Sequence, residues 1–269
     1  MDSEATRIRT EREERRVLNA AMDAGHILLQ NGAEISRVEE TMERICRYYG
    51  VKTGEFFVLS NGIFTTGGQT SDKTFARVRH IPVKGASMDK IIAVNQLSRE
   101  IAEGAYECID DVERKLEEIK SMKGFAPWLQ ILASGVSSGF FCVLFGGGTA
   151  DCTAAFIAGL LLYVYVLKVS APNLSKIVGN IFGGMLVVLI SLACYHFGLG
   201  ISLSPMISGA IMPLVPGVAF TNGIRDIANG DYISGAVRML DAVLIFLSIA
   251  IGMGVMFMIY HSVTGGIMP

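Results

Sequence analysis

Residues 204–226 read SPMISGAIMPLVPGVAFTNGIRD, a stretch apolar enough for a membrane that nevertheless contains helix breakers. Pro213 and Pro216 lack the amide hydrogen that a helix needs, and Gly217 follows at once. In hydrocarbon, interrupted backbone is tolerated only where protein or water meets it. Transporters place such breaks near the membrane midplane, where backbone groups contact the solute. We therefore expect a discontinuous helix with Pro213, Pro216 and Gly217 along a translocation path; a packed kink is the alternative.

Charge divides the chain into a polar first part and an apolar second part. The 269 residues are 51% hydrophobic and 18% charged. Residues 124–269 hold few of the 23 basic and 25 acidic residues, namely Lys168, Lys176, Arg225, Arg238, Asp151, Asp226, Asp231 and Asp241. We therefore predict a domain over 1–123 and a membrane domain over 124–269.

The apolar part is long enough for five membrane spans, each of which needs about 20 apolar residues. Uncharged runs and their flanking charges place these spans at about 126–145, 149–168, 175–196, 202–221 and 236–260. The predicted class is a mostly α membrane protein with a five-helix transmembrane bundle.

Basic residues predict the orientation of these spans. With the N-terminus inside, the inner segments hold all the basic residues near the spans, namely Lys120, Lys123, Lys168, Lys176, Arg225 and Arg238. The outer segments, which include 196–202 and 261–269, hold none. We therefore expect a multi-pass protein of the cell inner membrane, with a cytoplasmic N-terminus and the C-terminus outside.

The polar part predicts a cytoplasmic α+β domain in the order ααβββαα. Apolar residues recur at helical spacing before and after residues 53–82, where short β-rich runs replace them. Asn61-Gly62 is the dipeptide that most favours a two-residue hairpin loop, and Pro82 would close the third strand. The second helix is expected to start with a capping box formed by Ser36 and Glu39.

Three residues of this domain bear on a possible enzymatic function. His26, Glu34 and Ser36 lie close in sequence and could form a hydrolase site, which leaves a membrane-anchored hydrolase or sensor as the alternative function. The helix-capping role expected for Ser36 argues against a catalytic site. No metal-ligand spacing and no cofactor motif is present, and a net charge of −2 argues against a nucleic-acid partner.

Polar residues of the apolar part are the candidate functional groups, because burying them in a membrane is expensive. We assign Asn180, Asn222 and Arg225 to the translocation path with the three backbone breakers, and expect Arg225 to attract a substrate carboxylate. The candidate coupling acids are Asp241, Asp226 and Asp151. Arg238 and Asp241, three residues apart on one helix, are expected to pair.

Three stretches resemble the threonine/serine exporter family. They are LLQNGAEISRVEETMERICRYYG (28–50), VNQLSREIAEG (94–104) and LVPGVAFTNGIRDIANGDYISGAVRMLDAVLIFLSIAIG (214–252). The resemblance implies proton-driven secondary export of small amino acids such as threonine and serine, or of dicarboxylates such as succinate in some relatives. It implies no enzyme activity.

The same resemblance bears on partners. Full-length exporters of this family have about ten spans, whereas this chain resembles the split version, in which a second small membrane subunit supplies the other half. Gly135-x-x-x-Gly139 and Gly179-x-x-x-Gly183 permit close helix contact, which serves packing inside one bundle or a homo-oligomer.

Overall fold

The computed structural model describes the backbone of residues 2–51, 53–67, 75–81 and 85–264, and side chains at 12–51, 56–65, 78–81 and 85–264. Pro82 and the last five residues of the predicted outer segment, 265–269, lie outside these ranges. The described chain is mostly helical with one small sheet, as the sequence predicts. Contacts divide it into two compact units.

The first unit contains residues 1–124 and also 218–239. Its helices and strands are α1 (Asp2–Gln30), α2 (Ile35–Tyr48), β1 (Thr53–Leu59), β2 (Gly62–Gly67), β3 (Phe75–His80), α3 (Met88–Ala102) and α4 (Ile109–Ser121). Residues 218–239, which the sequence assigned to the membrane domain, thus contact the N-terminal domain. The units divide after Gly124, Gly217 and Met239.

The core of the first unit forms where α1 and α2 meet. The apolar stripe of α1 buries Leu18, Ala21 and Leu28, while α2 contributes Val38 and Met42, all at 2% exposure or less. The helices approach closely because residue 25 is glycine: a Cβ there would lie 2.5 Å from the sulfur of Met42. Burying such side chains stabilises each by about 1.5–3 kcal/mol.

The three strands form an antiparallel sheet in the order β1-β2-β3. A hairpin joins β1 and β2, but its loop is Ser60-Asn61 rather than Asn61-Gly62, because Leu59 pairs directly with Gly62. Neither loop residue has a positive φ angle, so the turn is not the type that favours Asn-Gly.

The second unit contains residues 125–217 and 240–269. Its helices are α5 (Pro127–Leu144), α6 (Thr149–Tyr165), α7 (Ala171–Asn173), α8 (Lys176–His196) and α9 (Leu203–Ile211), and a π-helical turn, Val166–Ser170, joins α6 to α7. A 3₁₀ turn, Met212–Leu214, follows α9; then come α10 (Gly217–Ala228) and α11 (Tyr232–Thr264).

Within the described residues, four helical stretches are long and apolar enough to cross a membrane: 127–144, 149–173, 176–196 and 232–264. Counting 203–214 and 217–228 as one bent span gives five. The chain is therefore a multi-pass membrane protein.

Small residues let the helices of the second unit touch. A Cβ at Gly135 would lie 2.8 Å from Leu160, and a Cβ at Gly252 would lie 2.0 Å from the carbonyl oxygen of Ile181. Gly183 likewise faces Leu214. The glycines of both GxxxG pairs thus contact neighbours within this chain, which agrees with packing inside one bundle.

Candidate functional site

The described part of the second unit contains an open cleft of about 560 Å³. It is lined by Phe125, Leu129, Gln130, Ala133, Ser134, Ser137, Tyr163 and Pro213. Most of these lie on one face of α5, while Tyr163 comes from α6 and Pro213 from the turn after α9. The volume falls within the range of small-molecule sites, which is about 300–1,000 Å³.

Hydrogen bonds fix three of the polar side chains of the cleft. The Tyr163 hydroxyl donates to Gln130 Oε1 at 3.2 Å, and Gln130 Nε2 donates to the Phe125 carbonyl at 2.7 Å. The Ser134 hydroxyl donates to the Gly159 carbonyl at 2.9 Å. No ionised side chain is among the described lining residues. The cleft thus offers oriented hydroxyl and amide groups in largely apolar walls.

The helix that contributes Pro213 is interrupted, as the sequence predicts. Regular α-helix ends at Ile211, and α10 begins only at Gly217. Between them, Val215 N–H bonds to the Met212 carbonyl at 3.1 Å, and Gly217 N–H bonds to the Val215 carbonyl at 2.9 Å. These short-range bonds replace the regular helix ladder, in which the two prolines cannot donate.

The cleft contains one residue of the predicted path, Pro213. The described lining does not include Pro216, Gly217 or Asn180. Asn180 is half-buried in α8. The path predicted from the sequence did not include Gln130, Ser134, Ser137 or Tyr163. A usable signal existed, because three of them lie at i, i+4 and i+7, which is one polar stripe on an uncharged helix.

Asn222 and Asp226 of α10 contact a different place, the turn between α1 and α2 in the first unit. Asn222 Nδ2 donates to the Gly32 carbonyl at 2.8 Å. Asp226 Oδ1 accepts the backbone N–H of Ile35 at 3.1 Å, and Asp226 is fully buried. Both side chains therefore bind backbone in this structure.

Arg225 of the same helix pairs with Glu34. The guanidinium that was expected to attract a substrate carboxylate thus holds a carboxylate of its own chain. Ser36 Oγ lies 3.4 Å from Asn229 Nδ2, so two members of the imagined hydrolase group, Glu34 and Ser36, have partners from residues 218–239.

The predicted pairing of Arg238 with Asp241 is wrong. Arg238 pairs with Asp226 at 2.9 Å and donates to the Ala33 carbonyl at 2.8 Å. Asp241 instead pairs with Lys176 at 2.5 Å. The reason is tertiary: a Cβ at Gly223 would lie 3.3 Å from the Arg238 Cβ, so α10 and α11 pack closely enough for Arg238 to reach Asp226.

The predicted capping box is also wrong. The helix α2 begins at Ile35, so Ser36 lies inside its first turn, and the residue before it, Glu34, makes no side-chain cap. Glu39 accepts the Val58 N–H at 3.3 Å instead. Burial raises the pKa of Glu39, and the hydrogen bond from Val58 opposes that shift.

Asp151, the third coupling candidate, binds three backbone amides. Its Oδ2 accepts from Gly148 at 3.0 Å, and its Oδ1 accepts from Ile201 at 2.6 Å and Ser202 at 2.9 Å. These bonds cap the start of α6 and fix the segment before α9. A buried carboxylate with three such donors stabilises the fold.

Comparisons with known proteins complete these findings. A family model, ThrE, described as "Putative threonine/serine exporter", matches residues 19–260. The chain is 26% identical to the Threonine/serine exporter of Corynebacterium glutamicum, covering 88% of this chain and 50% of that protein. It is 27% identical to the "Probable succinate transporter subunit YjjP" of Escherichia coli, with coverage of 89% and 93%.

A fungal relative is similar as well. The chain is 25% identical to Pheromone-regulated membrane protein 10 of Debaryomyces hansenii, covering 84% of this chain and 23% of that protein. The chain therefore spans about a quarter to a half of two of these relatives and nearly all of the third. No solved structure matches the chain.

Proposed function

Because the chain belongs to the ThrE family of threonine/serine exporters, we propose that it is a subunit of a secondary exporter of threonine, serine or related small carboxylic acids. The observation that carries this proposal is the cleft beside the interrupted helix. It joins oriented polar side chains to Pro213, at a point where the backbone ladder is broken.

The groups around the cleft suit a small amino acid. The hydroxyl groups of Tyr163 and Ser137 can interact with a substrate carboxylate or hydroxyl. Carbonyl groups near Pro213, released from the helix ladder, can accept hydrogen bonds from an ammonium group. The apolar walls formed by Phe125 and Leu129 exclude water, which strengthens these bonds.

The membrane arrangement follows from the basic residues. We propose that residues 1–123 lie in the cytoplasm, that 124–269 form the membrane domain in the cell inner membrane, and that the C-terminus lies outside. Trp128 and Tyr163 lie towards the inner ends of their spans in this arrangement. The cleft would then load substrate from the cytoplasm, as export requires.

A second hydrophobic membrane subunit is proposed to complete the pathway. The Corynebacterium exporter is about twice as long as the region matched here, and the Escherichia coli relative is called a transporter subunit. The cleft has an open side, which such a subunit would close. Proton coupling is proposed at Asp241, because protonation would break its ion pair with Lys176.

The experiment is an efflux assay in the native host. Cells lacking the chain are complemented with wild type, Tyr163→Phe or Gln130→Ala, loaded with threonine- or serine-containing dipeptides, and assayed for amino-acid release. Wild type should restore efflux, while each variant should lower the rate about tenfold, since each loses a bond fixed in the cleft. Tyr195→Phe, on α8 and outside the cleft lining, is the matched control.

Unchanged efflux after deletion of the chain would reject the exporter. Normal efflux by both cleft variants would reject the cleft as the substrate site. Release of succinate under the same conditions tests the carboxylic-acid alternative.

A further inference from the structure

The turn between α1 and α2 contains backbone groups that its own helices do not satisfy. Gly32 has a φ of +86°, and its N–H bonds back to the Leu29 carbonyl at 3.1 Å, while the Ala33 N–H bonds to the Leu28 carbonyl at 3.0 Å. This is a Schellman-type helix end, which leaves the carbonyls of Gly32 and Ala33 facing outward. The N–H of Ile35, at the start of α2, has no local cap.

Side chains from α10 and α11 satisfy each of these groups. Asn222 donates to the Gly32 carbonyl at 2.8 Å, and Arg238 donates to the Ala33 carbonyl at 2.8 Å. Asp226 accepts from the Ile35 N–H at 3.1 Å. A residue 191 positions away in the chain therefore provides the N-terminal cap of α2.

The helices that supply these side chains form one tight corner. A Cβ at Gly235 of α11 would lie 2.5 Å from Ile227 Cγ1 and 2.8 Å from the Gly223 carbonyl of α10. The connection between them closes with Gly230 at a φ of +95°. The buried ion pair between Asp226 and Arg238 links the two helices a second time. This corner, residues 218–239, therefore behaves as one body.

The two ends of this corner are held differently. The regular bonds before it stop at Ile211, and short-range bonds at Val215 and Gly217 follow in the break, whereas α11 continues without interruption from Tyr232 to Thr264. Since a broken helix transmits little orientation, tertiary contacts have to hold α10. They are its packing against α11 at Gly223 and Gly235 and its polar contacts with Gly32–Ser36.

We propose that Asn222, Asp226 and Arg238 are positioning residues for export: by binding the backbone of residues 32–35 they fix the second piece of the interrupted span. The inference rests on the proposed transport function. It gives the N-terminal domain a role in transport, because the turn between its first two helices is one of the supports that hold α10. These residues act through the position of α10 and do not contact substrate.

The test measures the rate of efflux against internal threonine concentration in the complemented host, with each rate divided by the amount of chain in the membrane. Asp226→Ala should lower the maximum rate about tenfold and Asn222→Ala about threefold, with a KM within about twofold of wild type. A loss confined to the maximum rate separates positioning from substrate binding. A merely structural role would lower the amount of chain without changing the rate per molecule.

Conservative variants sharpen the test. Arg238→Lys keeps a charge and a donor and should retain at least about half of the maximum rate, whereas Arg238→Met should not. Asp111→Asn removes one acid from an exposed pair with Arg114 and should change nothing. Asn222→Ala removes no buried charge. It therefore tests the positioning role even if a variant at Asp226 or Arg238 fails to accumulate in the membrane.

Wild-type rates per molecule for Asn222→Ala and Asp226→Ala would overturn the positioning role while leaving the exporter intact. Failure of wild type itself to restore efflux would instead overturn the proposed function.

Discussion

Replacing Arg238 by methionine should destabilise the first unit strongly, because it isolates a buried charge. The side chain of Asp226 is 0% exposed and that of Arg238 is 11% exposed, and they lie 2.9 Å apart. Methionine fills a similar volume but carries no charge and no donor. Within the described residues, the polar contact left to Asp226 would then be the N–H of Ile35.

The expected loss can be bounded. Removing one member of a buried ion pair costs about 3–5 kcal/mol of unfolding free energy. Asp226 can escape by taking up a proton, which costs about 4 kcal/mol at pH 7 for a carboxyl group with an unfolded pKa of about 3.9. Adding Asp226→Asn removes the charge and keeps an acceptor for Ile35, so the double variant should lose only about 1–2 kcal/mol.

The assay is denaturant unfolding of the purified full chain in detergent micelles, followed by circular dichroism. The double variant should be more stable than Arg238→Met by about 2–3 kcal/mol at pH 7. At pH 5, protonating Asp226 costs only about 1.5 kcal/mol, so the difference in stability between the two variants should narrow. A double variant as unstable as the single one, or a gap that ignores pH, would refute the buried-pair reasoning.

Three further predictions concern other parts of the chain. Burial raises the pKa of Glu39, so the contribution of this carboxyl group to stability is present below about pH 4.3 and is lost as pH rises. Glu39→Gln should therefore stabilise the chain at pH 7 but not below about pH 4. A gain in the unfolding midpoint that does not depend on pH would contradict this. Gly252→Ala should cost about 1–3 kcal/mol of unfolding free energy because its Cβ would lie 2.0 Å from a carbonyl oxygen, whereas Gly254→Ala, with no atom within 4 Å, should cost nothing; equal midpoints would count against close packing of α8 and α11. The double change Pro213→Ala/Pro216→Ala should regularise the interrupted helix and abolish efflux while membrane insertion persists, and normal efflux would show that the break is not needed.

Local rules recovered much of the fold. The first two helices end beside Gly32 and Gly50, both with positive φ angles, and glycine is the usual residue just past a helix end. The break at Pro213 and Pro216 was also predictable, because proline cannot donate to the helix ladder wherever it stands. These features depend on residues within a few positions, which the sequence presents directly.

The errors came from partners distant in the chain. Ser36 and Glu39 have the spacing of a capping box, but Asp226 supplies the cap from elsewhere. Arg238 and Asp241 have the spacing of an ion pair, but close packing at glycines brings Arg238 to Asp226. A local rule identifies residues that can pair on one helix. It does not identify a partner that tertiary structure brings from a distant part of the chain.

The candidate site shows the same difference between features that depend on nearby residues and features that depend on distant ones. Ionisable residues were predicted to be functional because burying them in a membrane is costly. Two of them, Asp151 and Asp226, instead accept hydrogen bonds from backbone amides. The cleft is formed by neutral groups such as Gln130 and Tyr163, which composition does not single out. The shared helix face of Gln130, Ser134 and Ser137 could have been read from the sequence, whereas the placement of Tyr163 and Pro213 in the same cleft required the fold.

Substrate protection at Ser137 tests most directly whether the cleft binds the exported solute. In a Cys108→Ser background, which removes an exposed thiol, Ser137→Cys is labelled with a thiol reagent in membranes with and without threonine, serine or succinate. Thr153→Cys, exposed on α6 and outside the lining, is the control. The account predicts that an exported solute slows labelling at position 137 and leaves position 153 unchanged; equal labelling at position 137 with every solute would contradict it.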